Sequence, residues 1–211
     1  MRLSNEVFEL DCTGGSHVYA VQCADGVTLI DTSMPGKGQA ILTELGGYGI
    51  KPANIKRILL THHDLDHMGS AAYIQKETGC EIYISAGDYP YLSGERKRPG
   101  IKRLFSALVN LQIPANVKKI DGNKIGEYTV IPTPGHTPGH VSYRFRDILF
   151  LGDLVRTAKG VIKPSPNIMT WNKKVLDNSI RSLDVTGAEW LCPAHGEPVK
   201  TDAWKKFVAI N

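Results

Sequence analysis

Cysteine is scarce in this chain and badly spaced for holding a metal. The 211 residues include four, Cys12, Cys23, Cys80 and Cys192, none at the short repeat of a thiolate site. Scattered free thiols suit a reducing compartment, so the expected location is cytoplasmic. Cys192 stands close to His195, but a lone thiol at a strand end is read as core packing, not as a nucleophile. Long apolar runs are also missing: nothing approaches the roughly 18 residues of a membrane span. The opening Met-Arg-Leu-Ser-Asn-Glu-Val-Phe-Glu-Leu lacks the apolar stretch of a signal peptide. Nor is charge of one sign in excess, since 25 Lys+Arg against 21 Asp+Glu leave a formal +4, too mild to point to nucleic acid. No linker or low-complexity stretch divides the sequence. What remains is a 42% hydrophobic chain, expected to form a single domain over 1–211 with a small molecule as its partner.

What is present is a set of histidine and aspartate patches. Six of the seven histidines fall in Thr-His-His-Asp-Leu-Asp-His-Met-Gly at 61–69, Pro-Gly-His-Thr-Pro-Gly-His at 134–140 and Pro-Ala-His-Gly at 193–196. A fourth patch, Phe-Leu-Gly-Asp at 150–153, adds a carboxylate after an apolar strand. His and Asp, gathered from sequence-distant loops, are the ligand set of a hydrolytic divalent-metal centre. Residues 55–60 read as a buried strand and the segment after Met68 as a helix. The first patch therefore lies at the carboxyl end of a strand, where an open sheet leaves a crevice. On such a turn His62 and Asp64, two apart, can point the same way and grip one ion, while Asp66 and His67 grip a second.

There is also a weak internal repeat. Ser16–Val21, a turn and Val27–Asp31 recur as Gly139–Arg144, a turn and Ile148–Asp153. Each copy is strand, tight turn, strand, then Asp. Two such β-rich halves, each followed by helix and strand, predict two face-to-face sheets with helices outside, an α+β four-layer αββα sandwich. His17 and His140 are equivalent in the repeat, but only His140 adjoins a ligand patch. His17 is read as structural and His140 as a hydrogen-bonding support for the ligands. Asp31 is expected to bond backbone amides of the loop carrying His62 to His67.

With these motifs in this order, the sequence resembles the metallo-β-lactamase-fold hydrolase superfamily over nearly its whole length. The resemblance implies the same αββα fold, two divalent metal ions, and a ligand set of His62, Asp64, Asp66, His67, His136, Asp153 and His195, with Asp153 bridging. One departure stands out: the family's usual second histidine is Asp64 here, and a histidine sits one place earlier at His63. Keeping Asp64 as the ligand preserves Asp66-His67 and leaves His63 beside the ligands or facing solvent. The alternative register puts His63 on the ion. Flavodiiron proteins of the same superfamily carry a carboxylate at this position. Three carboxylates and a hydroxide bring two divalent ions to about zero net charge, against about +1 with a histidine at 64. Zinc is the default ion, and the added oxygen ligand shifts preference toward iron or manganese.

Residues 85–118 form the sizeable insertion between the halves, with a basic cluster (Arg96, Lys97, Arg98, Lys102, Arg103) and Ile101, Leu104, Phe105, Leu108 and Leu111 at helical spacing. Two readings stay open, a lid over the metals and a surface helix with solvated charges. In the first, Tyr89, Arg96, Arg98 and Phe105 recognise substrate, together with Trp171 from the loop at 161–171. The family resemblance implies a dinuclear hydrolase of a small carbonyl substrate (ester, lactone, thioester or amide). Its nucleophile is a metal-bridging hydroxide, with Asp66 orienting it and passing on its proton. The alternative is an iron-dependent oxidoreductase of flavodiiron or sulfur-dioxygenase type, motivated by Asp64. Against it, the chain has no flavodoxin domain and no Cys-x-x-Cys.

Overall fold

The computed structural model of the protein describes residues 1–98, Lys102 and 111–210. Phe105 and most of the apolar stripe expected of the 85–118 insertion lie outside the described residues. One sheet runs in chain order through β1 (Val7–Glu9), β2 (Tyr19–Cys23), β3 (Gly26–Ile30), β4 (Ile55–Leu59), β5 (Glu81–Ile84) and β6 (Lys118–Lys119). The second contains β7 (Lys124–Ile125), β8 (Tyr128–Pro132), β9 (Val141–Phe145), β10 (Ile148–Gly152), β13 (Trp190–Pro193) and β14 (Val199–Lys200), in the order β14-β13-β10-β9-β8-β7. Between them in sequence, β11 (Val155–Ala158) and β12 (Val161–Pro164) make a separate hairpin. The internal repeat is the two central hairpins, β2–β3 and β9–β10, both antiparallel.

Alternation along the strands decides the layers, because successive side chains point to opposite faces. In β10, Ile148 and Phe150 join Tyr19, Val21, Ile30, Leu59, Tyr143 and Cys192 in a core between the two sheets. Leu149 and Leu151 face the other way, into a cluster with Leu176, Ile180, Trp204 and Phe207. The last four come from the helices Lys173–Ser182 and Thr201–Ile210. On the outer face of the first sheet, Leu29, Ile58 and Ile82 meet Ile41 and Leu45 of α1 (Gly38–Gly47) and Ala71 and Ile74 of α3 (Ala71–Thr78). Spacings of three or four put these helical residues on one stripe. Three cores separate four layers, so the expected αββα sandwich is the one observed. Cys192 is buried in the central core, as its strand-end position suggested.

Topology then places the loops. β3, β4 and β5 are parallel, as are β10 and β13, and their carboxyl ends open on one rim. Two tyrosines lock that rim across the sheets. Tyr143 in β9 donates its hydroxyl to the Leu60 carbonyl (2.7 Å) and Tyr19 in β2 to the Pro193 carbonyl (2.7 Å). Burial pushes both phenols well above their ordinary pKa, so they stay protonated donors. Two local readings differ from the structure. Leu65–Met68 is a one-turn helix (α2) and not open turn, and the stretch from Val161 begins as strand β12. Among the described residues, no helix is long and apolar enough to cross a membrane.

Candidate metal centre

Three of the ligand histidines, His62, His67 and His195, converge because each ring is held by its outer nitrogen. His67 donates Nδ1–H to Asp31 Oδ2 at 2.8 Å, and His195 donates Nδ1–H to the Gly15 carbonyl at 2.6 Å. His62 bonds Thr61 Oγ1 at 3.0 Å, and that hydroxyl donates onward to Asp31 (2.8 Å). In all three the remaining Nε2 faces a common space, positioned to give its lone pair to an ion once any proton on it is displaced. The Nε2 atoms of His62 and His67 are buried with no hydrogen-bond partner, as is Asp153 Oδ1. Buried polar atoms left without partners are costly, so their convergence is an argument that a cation belongs there.

The carboxylates complete two groups. His62, Asp64 and His136 offer donor atoms within 4.8 Å of one another, and so do Asp66, His67 and His195. Asp153 spans them. Its Oδ1 lies 3.3 Å from both His67 Nε2 and His195 Nε2, and its Oδ2 lies 3.3 Å from His136 Nε2. His136 Nε2 to Asp64 Oδ2 is 3.0 Å, and His195 Nε2 to Asp66 Oδ2 is 3.3 Å. Donors about 2.0–2.1 Å from one ion in a tetrahedron stand about 3.3 Å apart, so the residues present fit two divalent ions. The two groups differ in exposure. Asp64 is 7% accessible, whereas Asp66 and His195 are each 34% accessible, so solvent reaches the centre from the second group's side.

Burial opposes charge on every carboxylate here, and the neighbours overrule it. Lys102, His136 and His62 hold Asp64 well below the ordinary carboxylate range; His67, His136 and His195 do the same for Asp153. Burial likewise opposes protonation of the rings, but Asp153, Asp66 and Asp31 push His67 well up. Asp153 and Asp66 push His195 up to about 10. On the first group burial and His67 drive His62 well down. Loading with a divalent cation therefore displaces protons from the second group.

The supporting residues carry out specific jobs. Asp31 bonds the Thr61 amide (2.8 Å) as well as fixing the His67 ring, a wider role than amide bonding alone. His140 accepts the Asp153 N–H on Nε2 (3.0 Å) and bonds Thr133 through Nδ1 (2.9 Å); burial and His136 push it down to about 3, so it is neutral. Gly152 makes that approach feasible: at φ +53, a Cβ there would meet His140 Nε2 at 2.7 Å and Thr61 Cβ at 2.8 Å. His63 is not solvent-facing. It is fully buried, pairs with Asp88 through Nδ1 (2.9 Å) and stacks on Tyr91. His17 pairs its ring with Glu9 at 2.9 Å, while its amide bonds the Ala194 carbonyl beside His195 (2.7 Å).

Asp88 and Lys102 are the residues that sequence reasoning passed over. Fully buried Asp88 accepts the His63 amide (3.2 Å), the Thr137 hydroxyl (2.6 Å) and the Gly139 amide (2.6 Å), tying the first patch to the second. Lys102, one charge in a basic run, places Nζ 2.5 Å from Asp64 Oδ2 and 2.9 Å from His136 Nε2. The residues proposed for substrate recognition are dispersed. Arg98 spends its guanidinium on the His63 carbonyl (3.0 and 3.3 Å) and Met68 sulfur. Tyr89 packs instead on the helix-side core, with the Lys119 ammonium 4.3 Å from its ring centroid. Arg96 is exposed. Trp171 has an exposed side chain, and its amide bonds the His136 carbonyl (3.0 Å).

Comparison with known proteins bears on the family of the chain. A probable metallo-hydrolase of Bacillus subtilis, YflN, is 29% identical over 216 residues, covering 87% of this chain and 81% of its own. The hydroxyacylglutathione hydrolase of Rhodospirillum rubrum is 32% identical over 161 residues. That match takes in 72% of this chain and 53% of the enzyme, so the chain spans about half its length. Among solved structures, a protein crystallised in a di-iron-bound form superposes with a TM-score of 0.73 at 22% identity, covering 95% of this chain and 96% of that one. The model of the metallo-beta-lactamase superfamily matches residues 13–195, a span that takes in every histidine and aspartate of the four patches, and the chain belongs to that superfamily.

Proposed function

We propose that this member of the superfamily is a dinuclear metal-dependent hydrolase of a small carbonyl substrate. The observation that carries the reading is Asp153, whose two oxygens divide between the two donor groups. Two divalent ions bound there would supply Lewis acidity and a water acidic enough to ionise near neutral pH. His62, Asp64 and His136 would hold one ion, and Asp66, His67 and His195 the other. Asp66 lies on the solvent-facing side, where it can orient the attacking water and take its proton. His62, His67 and His195 direct Nε2 at the centre because Thr61, Asp31 and the Gly15 carbonyl occupy their outer nitrogens. Relatives named as a metallo-hydrolase and as a hydroxyacylglutathione hydrolase support the hydrolytic class, and an acyl-thioester is one of the first substrates to try.

Asp64 supports a second reading, an iron-dependent oxidoreductase, because it adds an oxygen donor beside two imidazoles. Metal analysis of the purified protein, with a panel of lactones, thioesters, β-lactams and phosphodiesters assayed under defined metals, separates the two. Zinc or manganese at two per chain with turnover of an ester or thioester supports hydrolysis. Iron with a visible absorption band and no hydrolytic turnover supports redox chemistry. Asp153→Ala should lower the occupancy of both sites together. Retention of two metals and full activity in that variant would refute the dinuclear assignment.

A further inference from the structure

Lys102 is buried, 6% exposed, and its ammonium contacts two of the three donor atoms of the first group: Asp64 Oδ2 at 2.5 Å and His136 Nε2 at 2.9 Å, with the His136 carbonyl at 3.4 Å. These are the lone pairs that an ion held by His62, Asp64 and His136 needs. An ammonium is a point cation with three N–H donors and no lone pair of its own, and a lone pair serves one cation at a time. The second group is different. Among the described residues, the ion-pair partners of Asp66 are His67 and His195, and no lysine or arginine pairs with Asp66 or Asp153. Asp64 gives the first group a carboxylate where an imidazole would be neutral, and Lys102 lies against that added charge.

We propose that Lys102 is an internal cation competing with metal for the His62–Asp64–His136 group, so that the two sites load in order. The inference rests on the dinuclear reading above. Metal enters first at Asp66, His67 and His195, where no ammonium has to be displaced. It fills the first group only as Lys102 gives up Asp64 and His136.

The test is titration of metal-free wild-type protein and Lys102→Met with Zn(II) alone, followed by calorimetry and by equilibrium dialysis with elemental analysis. Wild type should show one tight and one weak equivalent. In Lys102→Met the weak equivalent should tighten by about tenfold or more, as expected when a competing charge is removed, while the tight one stays unchanged. Lys102→Arg, which keeps a cation, should preserve the gap. Lys102→Gln gives the same readout as the Met variant should that protein lose its thermal unfolding transition. Unchanged affinities in both neutral variants would overturn the inference, and a weakened second equivalent would do so too by making Lys102 a support of the loaded site. A wild type that binds no zinc would overturn the dinuclear reading itself, and the inference with it.

Discussion

Replacing Asp88 tests whether the two ligand loops of the first group are held by one buried carboxylate. Its oxygens accept from His63 N, Thr137 Oγ1 and Gly139 N at 3.2, 2.6 and 2.6 Å, and Oδ2 lies 2.9 Å from His63 Nδ1. Asp88→Ala removes all four contacts and strands their donors in a space without solvent. Breaking one partner of a buried pair costs about 3–5 kcal/mol, and each stranded donor adds to the lower end of that range. Asp88→Asn keeps the shape but turns an amide N–H₂ toward other donors, so its cost should be smaller, about 1–3 kcal/mol. Urea unfolding of metal-free protein measures both. The pH dependence has a defined sign. Burial works to raise the Asp88 pKa, but His63, Thr137 and the Gly139 amide outweigh it and lower the folded value. Its stabilisation is therefore complete above the unfolded value of about 3.9 and fades as pH falls through the lower folded value. The gap between wild type and Asp88→Asn should narrow in acid. Because Asp88 joins the residues beside His62 and Asp64 to those beside His136, the variant should lose metal from that group and keep it at Asp66, His67 and His195. Equal loss from both sites, or unchanged stability, would refute the reasoning.

Four further outcomes follow from the geometry. Gly152→Ala should destabilise by more than about 1 kcal/mol and lower metal content, since φ is +53 and the new Cβ would strike His140 and Thr61; thermal unfolding and metal analysis check it. Asp64→His should keep two metals and shift preference from iron toward zinc in competition dialysis, whereas His63→Ala should keep two metals while losing stability, because it leaves Asp88 without its buried partner. Arg98→Ala should cost about 1 kcal/mol through the freed His63 carbonyl and leave KM for neutral substrates unchanged in steady-state assays.

The fold was legible because its periodicities are local. The β10 residues alternate between two cores as strand period two demands, and the paired hairpins announce two sheets. The ligand patches were legible because each is short and follows a strand. Asp88 was not, since no spacing relates it to Thr137 and Gly139, about fifty residues on. Only the parallel β4–β5 pairing and the facing sheet bring its loop beside theirs. Lys102 looked like any charge in a basic run, because composition carries no information about which ammonium turns inward. The β11–β12 hairpin was missed for another reason. Its turn is Lys159-Gly160, both at positive φ (53° and 74°), a mirror-image turn that lysine signals weakly, and the prolines at 164 and 166 drew the reading toward loop.

The two rim tyrosines have a mechanical meaning. Tyr143 belongs to the second sheet but grips the carbonyl of Leu60, two residues before His62; Tyr19 belongs to the first sheet but grips Pro193, two residues before His195. Each sheet thus carries the anchor for a ligand strand of the other, like two hands holding each other's wrists. A slip of one sheet over the other cannot be absorbed by the loops, because it pulls His62 and His195 in opposite senses while Asp66 and His67 ride with α2. The centre is therefore a gauge of how the sheets are seated, and loosening of the central core registers there as altered ligand geometry while every strand is still intact.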